Sequence, residues 1–285
     1  MKFALGTAGW RTNYGSFSHE IIQINEAKKL VDTAWELGFE FIDTAPGYGD
    51  TEKLLGSIDP KQSIATKVAI SLDLKISIEN SVEQSLSNLG IKSIPLIFVH
   101  NWDKLSESVK KESSQILNDL MIREKIYRWG ISTYEISEIY KYKELDLKNT
   151  VFQINVNILD QRLDKISNQV RHDLRSRNIE IWARSIFLQG ILINHTPENK
   201  LLNHPDVIKF YKKSVELELD PIDLCLSYIK QNELIDVAII GIPSISQLKS
   251  ISKIMLNQSV IFNFKEFNSS DLDLVDPRRW NLKNE

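Results

Sequence analysis

The chain has 285 residues, with 35 Lys and Arg against 38 Asp and Glu, a net charge of −3 and a hydrophobic fraction of 42%. That balance, with no basic block, excludes a nucleic-acid or anionic-membrane surface as the main partner, and the apolar fraction excludes a disordered chain. A single cysteine, Cys225, cannot close an internal disulfide, and no run of about 18 apolar residues occurs, so the expectation is a cytoplasmic protein with no membrane span.

In chain order, strand-like runs alternate with helical ones. The predicted strands are 3–7, 39–42, 64–66, 96–99, 127–131, 151–154, 179–183 and 237–240. Between them, apolar residues recur at three and four over 26–37, 78–89, 106–121 and 165–177, the period of a helix with one buried face. Eight strand–helix units without a Gly/Ser/Pro-rich linker predict one α/β domain over 1–285, a (β/α)8 TIM barrel. Cys225 falls in an apolar helix pattern, Pro221 to Ile229, and reads as a packed core thiol. The charge runs Lys110-Lys111 and Lys141 to Lys148 read as solvated helix faces.

The residues just beyond each strand are polar or ionisable. They are Thr7 to Trp10, then Asp43 and Tyr48, then Lys67, then His100 to Asp103. Ser132-Thr133, Gln153 with Asn155, Arg184-Ser185 and Gly241 to Gln247 complete the ring. In a barrel these positions converge on the carboxyl rim, where sites are built.

Within that rim the stretch Phe41-Ile-Asp-Thr-Ala-Pro-Gly-Tyr-Gly49 leaves a buried strand for a Pro/Gly turn, delivering an acid and a phenol. A phenol titrates near ~10, so a proton donor at neutral pH needs a cation beside it. Lys67 on the next strand supplies the cation, Asp43 pairs with it, and His100 can orient a carbonyl. An Asp–Lys pair or a strand-end histidine also serves structure alone. A donor beside a polarised carbonyl still lacks an electron source. His19, His172, His195 and His204 show no metal-ligand spacing, and the chain contains neither a phosphate-binding Gly-x-x-x-x-Gly-Lys motif nor a Gly-x-Gly-x-x-Gly fingerprint. A nicotinamide cofactor on a barrel would satisfy the chemistry.

Here the sequence resembles the aldo/keto reductase family. Asp43-Thr-Ala with Tyr48-Gly49, Thr66-Lys67 and Val99-His100 match its catalytic tetrad; Gly130-Ile-Ser132, Gln153 to Arg162, Ala183 to Gly190 and Ile240 to Leu248 extend the match over nearly the whole chain. The segments around Asp160-Gln-Arg162 and Arg184 to Gly190 look most like a bacterial branch associated with surface-carbohydrate gene clusters. The resemblance implies reduction of an aldehyde or ketone, sugar-like ones included, with hydride from NADPH, NADH being the other form. Tyr48 would be general acid, Asp43 and Lys67 its tuning pair and His100 the carbonyl orienter. Thr7, Asp43, Ser132, Thr133 and Gln153 would hold the nicotinamide side; Arg184, Ser185, Leu188, Gln189 and Gly190 the pyrophosphate; Gly241, Ser244 and Gln247 the adenosine phosphate.

Three positions depart from the family pattern. Thr133 stands where Asn is usual, Arg184 where an aromatic stacks on the nicotinamide, and no Arg or Lys lies between Gly241 and Gln247, leaving Lys249 as the nearest cation. Trp10 and Trp102 are expected to wall an open substrate pocket. The expected assembly is a monomer or weak homo-oligomer. The other open readings are a catalytically silent regulatory barrel that binds the cofactor, and a cofactor-independent lyase or isomerase.

Overall fold

Eight parallel strands, each hydrogen-bonded to the next and the first to the last, close a barrel in sequence order in the computed structural model, which describes residues 1–12, 21–70, 74–100, 102–194, 200–256 and 260–280. The strands are β1 (Lys2–Gly6), β2 (Phe39–Asp43), β3 (Ser63–Val68), β4 (Leu96–Val99), β5 (Trp129–Thr133), β6 (Val151–Asn155), β7 (Glu180–Arg184) and β8 (Ile235–Gly241). Around them run α1 (Ile24–Glu36), α2 (Thr51–Ile58), α3 (Leu74–Leu89), α4 (Glu107–Ile122), α5 (Asn168–Ser176), α6 (Pro205–Glu216), α7 (Pro221–Gln231), α8 (Ile245–Leu256) and the short α9 (Leu272–Val275).

A strand covered on both faces has no solvent side, so the alternation of a half-exposed strand disappears; β4 and β6 are buried at every position. Inside the barrel Phe41, Phe98 and Trp182 fill the lumen, with ring centroids 4.9 Å apart for Phe41–Trp182 and 5.7 Å for Phe98–Trp182. This aromatic layer closes the lumen, so the barrel is a packed core and not a pore. Outside it, the apolar stripes of the helices form a second, continuous core that includes Cys225 in α7.

Local chemistry sets the helix ends. Ser106 caps α4 by accepting from the Val109 amide at 3.4 Å, and Ser167 caps α5 in the same way through Val170. The Ser167 cap explains why the helical pattern from Lys165 begins as a 3-10 turn (Arg162–Lys165) and becomes α-helix only at Asn168. Asp220 with Pro221, and His204 with Pro205, start α7 and α6. Two helices thus stand between β7 and β8, where a single crossover suffices. β5 begins two residues later than the apolar run suggests: Tyr127 is exposed and only its amide is used, donating to the Ile94 carbonyl at 2.9 Å.

Lys110 corrects the reading of its charge run. Its side chain is 2% exposed, in contact with Glu138 at 2.9 Å and Glu107 at 3.1 Å. Lys111 is exposed.

Candidate active site

Strand register brings the ionisable groups together. Asp43 at the end of β2 pairs with Ala65 of β3, and side chains two residues apart share a face, so Lys67 projects to the same side as Asp43. Its ammonium, 2% exposed, donates to Asp43 Oδ2 at 2.7 Å and to the Thr44 carbonyl at 2.9 Å. Gln153 on β6 reaches across the lumen, donating from Nε2 to Asp43 Oδ1 at 2.7 Å, while its Oε1 accepts from Ser132 Oγ at 3.0 Å. The amide and hydroxyl of Thr7 both donate to the Asp43 carbonyl, at 3.1 and 3.0 Å. A buried ion pair recovers its desolvation cost only when such further bonds satisfy it, and here both carboxylate oxygens are occupied.

Tyr48 sits on the turn after β2. Its amide donates to the Ala45 carbonyl at 3.0 Å, and Gly49 next to it has φ 65°, where a Cβ would stand 2.9 Å from the Arg11 carbonyl oxygen. Glycine is needed there for the turn to close with Tyr48 facing inward. Lys67 Nζ lies 5.0 Å from the centre of the Tyr48 ring. Loss of hydration, followed by the Asp43 charge, pushes the Tyr48 phenol well above its ordinary value, while Arg184 pulls it down. The phenol is therefore protonated at any working pH. Arg184 is one cation acting against that rise; Lys67, expected to tune the phenol, pairs with Asp43 within 5.0 Å of its ring centre.

His100, at the end of β4, is anchored by its amide to the Val68 carbonyl at 2.8 Å. It retains solvent exposure, yet burial of its ring, then Lys67, Arg184 and Lys104, lowers its pKa to about 3. The imidazole is neutral, and a neutral ring can donate one hydrogen bond without adding charge.

A cleft of about 970 Å³, counting its open mouth, runs from Asp43 and Tyr48 along the ends of β7, β8 and β1. Trp10 forms part of the wall, buried, with Nε1 donating to the Ile242 carbonyl at 3.0 Å. Along one side run Arg184, Ser185, Gln189 and Gly190; at the far end lie Gly241, Pro243 and Gln247. Ser185, Leu188, Gln189 and Gly190 all have positive φ (60°, 47°, 52° and 94°), an unusual concentration outside glycine that the surrounding fold must hold in place.

Two details fit a ligand in this cleft. Gly241 has no left-handed φ and a Cβ there would meet no atom of the described residues within 4 Å, so neither the backbone nor packing against them calls for glycine. What a side chain would fill is cleft. Gln247 Oε1 is buried without a hydrogen-bond partner among the described residues, beside the Ser244 hydroxyl that accepts from the Gln247 amide at 3.3 Å. An N–H or O–H donor on a ligand would satisfy that oxygen.

The family model of the aldo/keto reductases matches residues 2–270. The chain belongs to the aldo/keto reductase family. A 6-dehydroglucose reductase from Novosphingobium aromaticivorans is 28% identical over 134 residues, 40% of this chain and 43% of that protein, so the match spans less than half the length of this curated relative. Among solved structures, the aldo-keto reductase AKR11C1 from Bacillus halodurans, in its holo form, superposes with a TM-score of 0.75 at 18% identity, covering 98% of this chain and 95% of the other. The glycerol dehydrogenase AKR11B4 from Gluconobacter oxydans gives 0.70 at 17% identity, with 99% and 94% covered. These two share the barrel.

Within this aldo/keto reductase, Asp43, Tyr48, Arg184, Ser185, Gln189, Gly190, Gly241, Gln247 and Trp10 line the cleft. Lys67, Ser132 and Gln153 form the buried layer wired to Asp43, and Thr7 fixes that aspartate's backbone. Thr133 Oγ accepts from the Glu135 amide at 3.0 Å, so the hydroxyl in the Asn position is engaged by its own turn. Leu188 packs in the core.

Trp102 departs from the sequence reading. It is fully buried, its Nε1 donating to Glu138 Oε2 at 3.0 Å and its ring 6.2 Å from Trp129. It does not line the cleft; Trp129 and Glu138 hold it in the outer core beneath the helices. Among the described residues no group of three His, Cys, Asp or Glu is arranged to hold a metal ion, and no helix is long and apolar enough to cross a membrane. His19, His195 and Asn101 lie outside the described residues. Sequence reasoning missed Tyr134, which stacks on Arg184, and Arg278, which stacks on Tyr134.

Proposed function

We propose that this chain reduces an aldehyde or ketone to an alcohol with a nicotinamide cofactor, Tyr48 delivering the proton. The observation that carries it is the Lys67 ammonium, fixed between Asp43 and the Thr44 carbonyl and 5.0 Å from the Tyr48 ring, with Asp43 and Tyr48 both lining the cleft. The cofactor's share is the hydride. The chain's share begins with a neutral phenol that holds its proton until charge develops on the carbonyl oxygen; the proton then passes from the Tyr48 hydroxyl to that oxygen. Lys67 and Arg184 stabilise the phenolate left behind, which solvent reprotonates. Neutral His100 donates a hydrogen bond to the carbonyl and so orients it.

Ser132 and Gln153 would hold the carboxamide, Ser185 to Gly190 the pyrophosphate, and Gly241, Ser244 and Gln247 the adenosine end. NADPH is the preferred form, its 2′-phosphate met by Ser244 and Lys249. The match to a reductase of an oxidised glucose supports a sugar-like carbonyl, with Trp10 as an apolar wall. The enzyme works in the cytoplasm as a monomer or weak homo-oligomer.

The test is NADPH and NADH titration of the purified protein, followed by turnover on a panel of aldehydes, ketones and sugar aldehydes. Turnover that vanishes in Tyr48→Phe with cofactor binding intact is expected. Binding without turnover on any carbonyl, unaltered by Tyr48→Phe, would instead leave a cofactor-binding regulatory barrel, and tighter NADH binding would reverse the cofactor preference.

A further inference from the structure

Among the described residues the cleft has one lining cation, Arg184, and that cation is gripped from outside the catalytic group. Its Cζ stands 4.0 Å from the centre of the Tyr134 ring, and Nη2 donates to the Thr133 carbonyl at 3.4 Å. The Cζ of a second guanidinium, that of Arg278, lies 4.3 Å from the same ring centre. A guanidinium is about as broad as a phenol ring, so the two occupy opposite faces and Tyr134 is clamped between them.

Two cations on one ring repel each other unless one is neutralised, and Arg278 is. Its Nε and Nη2 pair with Asp276 at 2.9 and 2.6 Å, Nη2 reaches Glu135 at 2.7 Å, and Nη1 reaches Asp103. These carboxylates come from the C-terminal segment after α9, the loop after β5 and the loop after β4. Arg278 is thus the point where three pieces of the barrel mouth are tied together. Arg184 carries its charge on the ring's other face, at the cleft.

We propose that Arg278 is a positioning residue for the cleft: anchored by Asp276, Glu135 and Asp103, it fixes Tyr134, and Tyr134 fixes the Arg184 guanidinium at the cleft wall where the cofactor is held. The inference rests on the cofactor reading above. A long arginine side chain left to rotate would have to be ordered on each binding event, and the clamp supplies that order beforehand. Arg184 also acts on Tyr48 and His100, so its placement matters to the reacting groups as well as to the cofactor.

The test uses the full chain and the variants Arg278→Lys, Arg278→Ala, Tyr134→Phe, Tyr134→Ala and Arg184→Ala. Arg278→Lys keeps a cation for the three carboxylates, hence the fold, but loses the planar stack. In cofactor-free protein the Nε–Hε NMR signal of Arg184, shifted upfield by the Tyr134 ring current, is expected to move to the position of an unstacked arginine in Arg278→Lys and Tyr134→Ala and to stay in Tyr134→Phe. NADPH affinity should fall about three- to tenfold in Arg278→Lys and Tyr134→Ala, the scale of one lost cation–ring contact, and recover in Tyr134→Phe. In an Arg184→Ala background Arg278→Lys should cost nothing further.

An unmoved Arg184 signal, unchanged affinity, or a full additional loss in the Arg184→Ala background would each overturn the proposal. Absence of any cofactor binding by the unaltered protein would sink the functional reading instead, and the NMR signal would still decide whether Arg278 positions Arg184.

Discussion

Among the described residues the barrel contains two buried lysines of equal exposure, 2% each, and each is held by a carboxylate within 3 Å. Lys67 pairs with Asp43 inside the lumen; Lys110 pairs with Glu138 outside it, between α4 and the turn after β5. Burial and charge pairing therefore do not make a site. What separates them is the remaining neighbours. Lys110 is enclosed by more of the same, since Glu107 and Lys141 extend the ion network and the Trp102 indole bonds to Glu138. Lys67 instead has a phenol 5.0 Å away that faces a cleft, and its aspartate is wired to an amide and a hydroxyl at the same rim. One cluster closes on itself; the other leaves a proton donor open to a ligand.

The largest effects should fall on the first pair. Tyr48→Phe removes one oxygen and keeps the ring, so turnover should fall by roughly 10²–10⁴ while the fold and cofactor affinity persist. Lys67→Met should approach the same loss, and the double variant should be little worse than either, because a tuner has nothing to act on once the phenol is gone. Steady-state turnover with NADPH titration of the three variants measures this; full additivity would mean that lysine and phenol act separately and that the two ion pairs are more alike than argued.

Lys110→Met should show the reverse signature. Leaving Glu138 buried without its lysine costs about 2 kcal/mol, below the ~3–5 kcal/mol of a wholly orphaned charge because Lys141 and the Trp102 indole remain. The urea midpoint should fall while turnover per folded molecule stays. Replacing both partners, Lys110→Met with Glu138→Gln, should recover most of the loss, since the amide removes the orphaned charge while its oxygen still accepts from the Trp102 indole. A turnover loss in Lys110→Met beyond its unfolded fraction would show that the outer network reaches the site.

These two lysines also mark what could be read beforehand. The β2 stretch carries its own context, a strand running into a Pro/Gly turn, and the period-two geometry of neighbouring strands makes the Asp43–Lys67 meeting follow from the barrel alone. Lys110 stands in a charged run whose local pattern is that of a solvated face; its partner Glu138 lies 28 residues on, in a segment of 3-10 turns without periodicity. Trp102 was read as a pocket wall for the same reason, being placed by Trp129 and Glu138 and not by its neighbours in sequence. Arg278 belongs to the barrel mouth only because the segment after α9 crosses it, and no local signal announces that crossing.

A smaller effect tests the open side of the comparison. Gly241→Ala adds a methyl that touches no atom of the described residues but enters the cleft, so stability should be unchanged while cofactor affinity drops several-fold. Fluorescence titration alongside thermal unfolding separates the two. Unchanged affinity would mean that the far end of the cleft is not where the cofactor lies.

The smallest expected effect concerns His100. An imidazole whose pKa falls from 6.5 to about 3 on folding binds fewer protons in the folded than in the unfolded state between those values. Its contribution is therefore complete above about pH 6.5 and is lost progressively as pH falls towards 3. Because the ring retains solvent contact, the slope should be modest, and carboxylates add their own acid lability below about pH 5. The clean window is thus pH 5 to 6.5, where His100→Gln should flatten the dependence of the urea midpoint on pH while leaving the Lys110→Met effect untouched. An unchanged slope in that window would mean that the imidazole charges freely in the folded protein, and a cation beside Lys67 and Arg184 would then have to be reconciled with a role in holding a carbonyl.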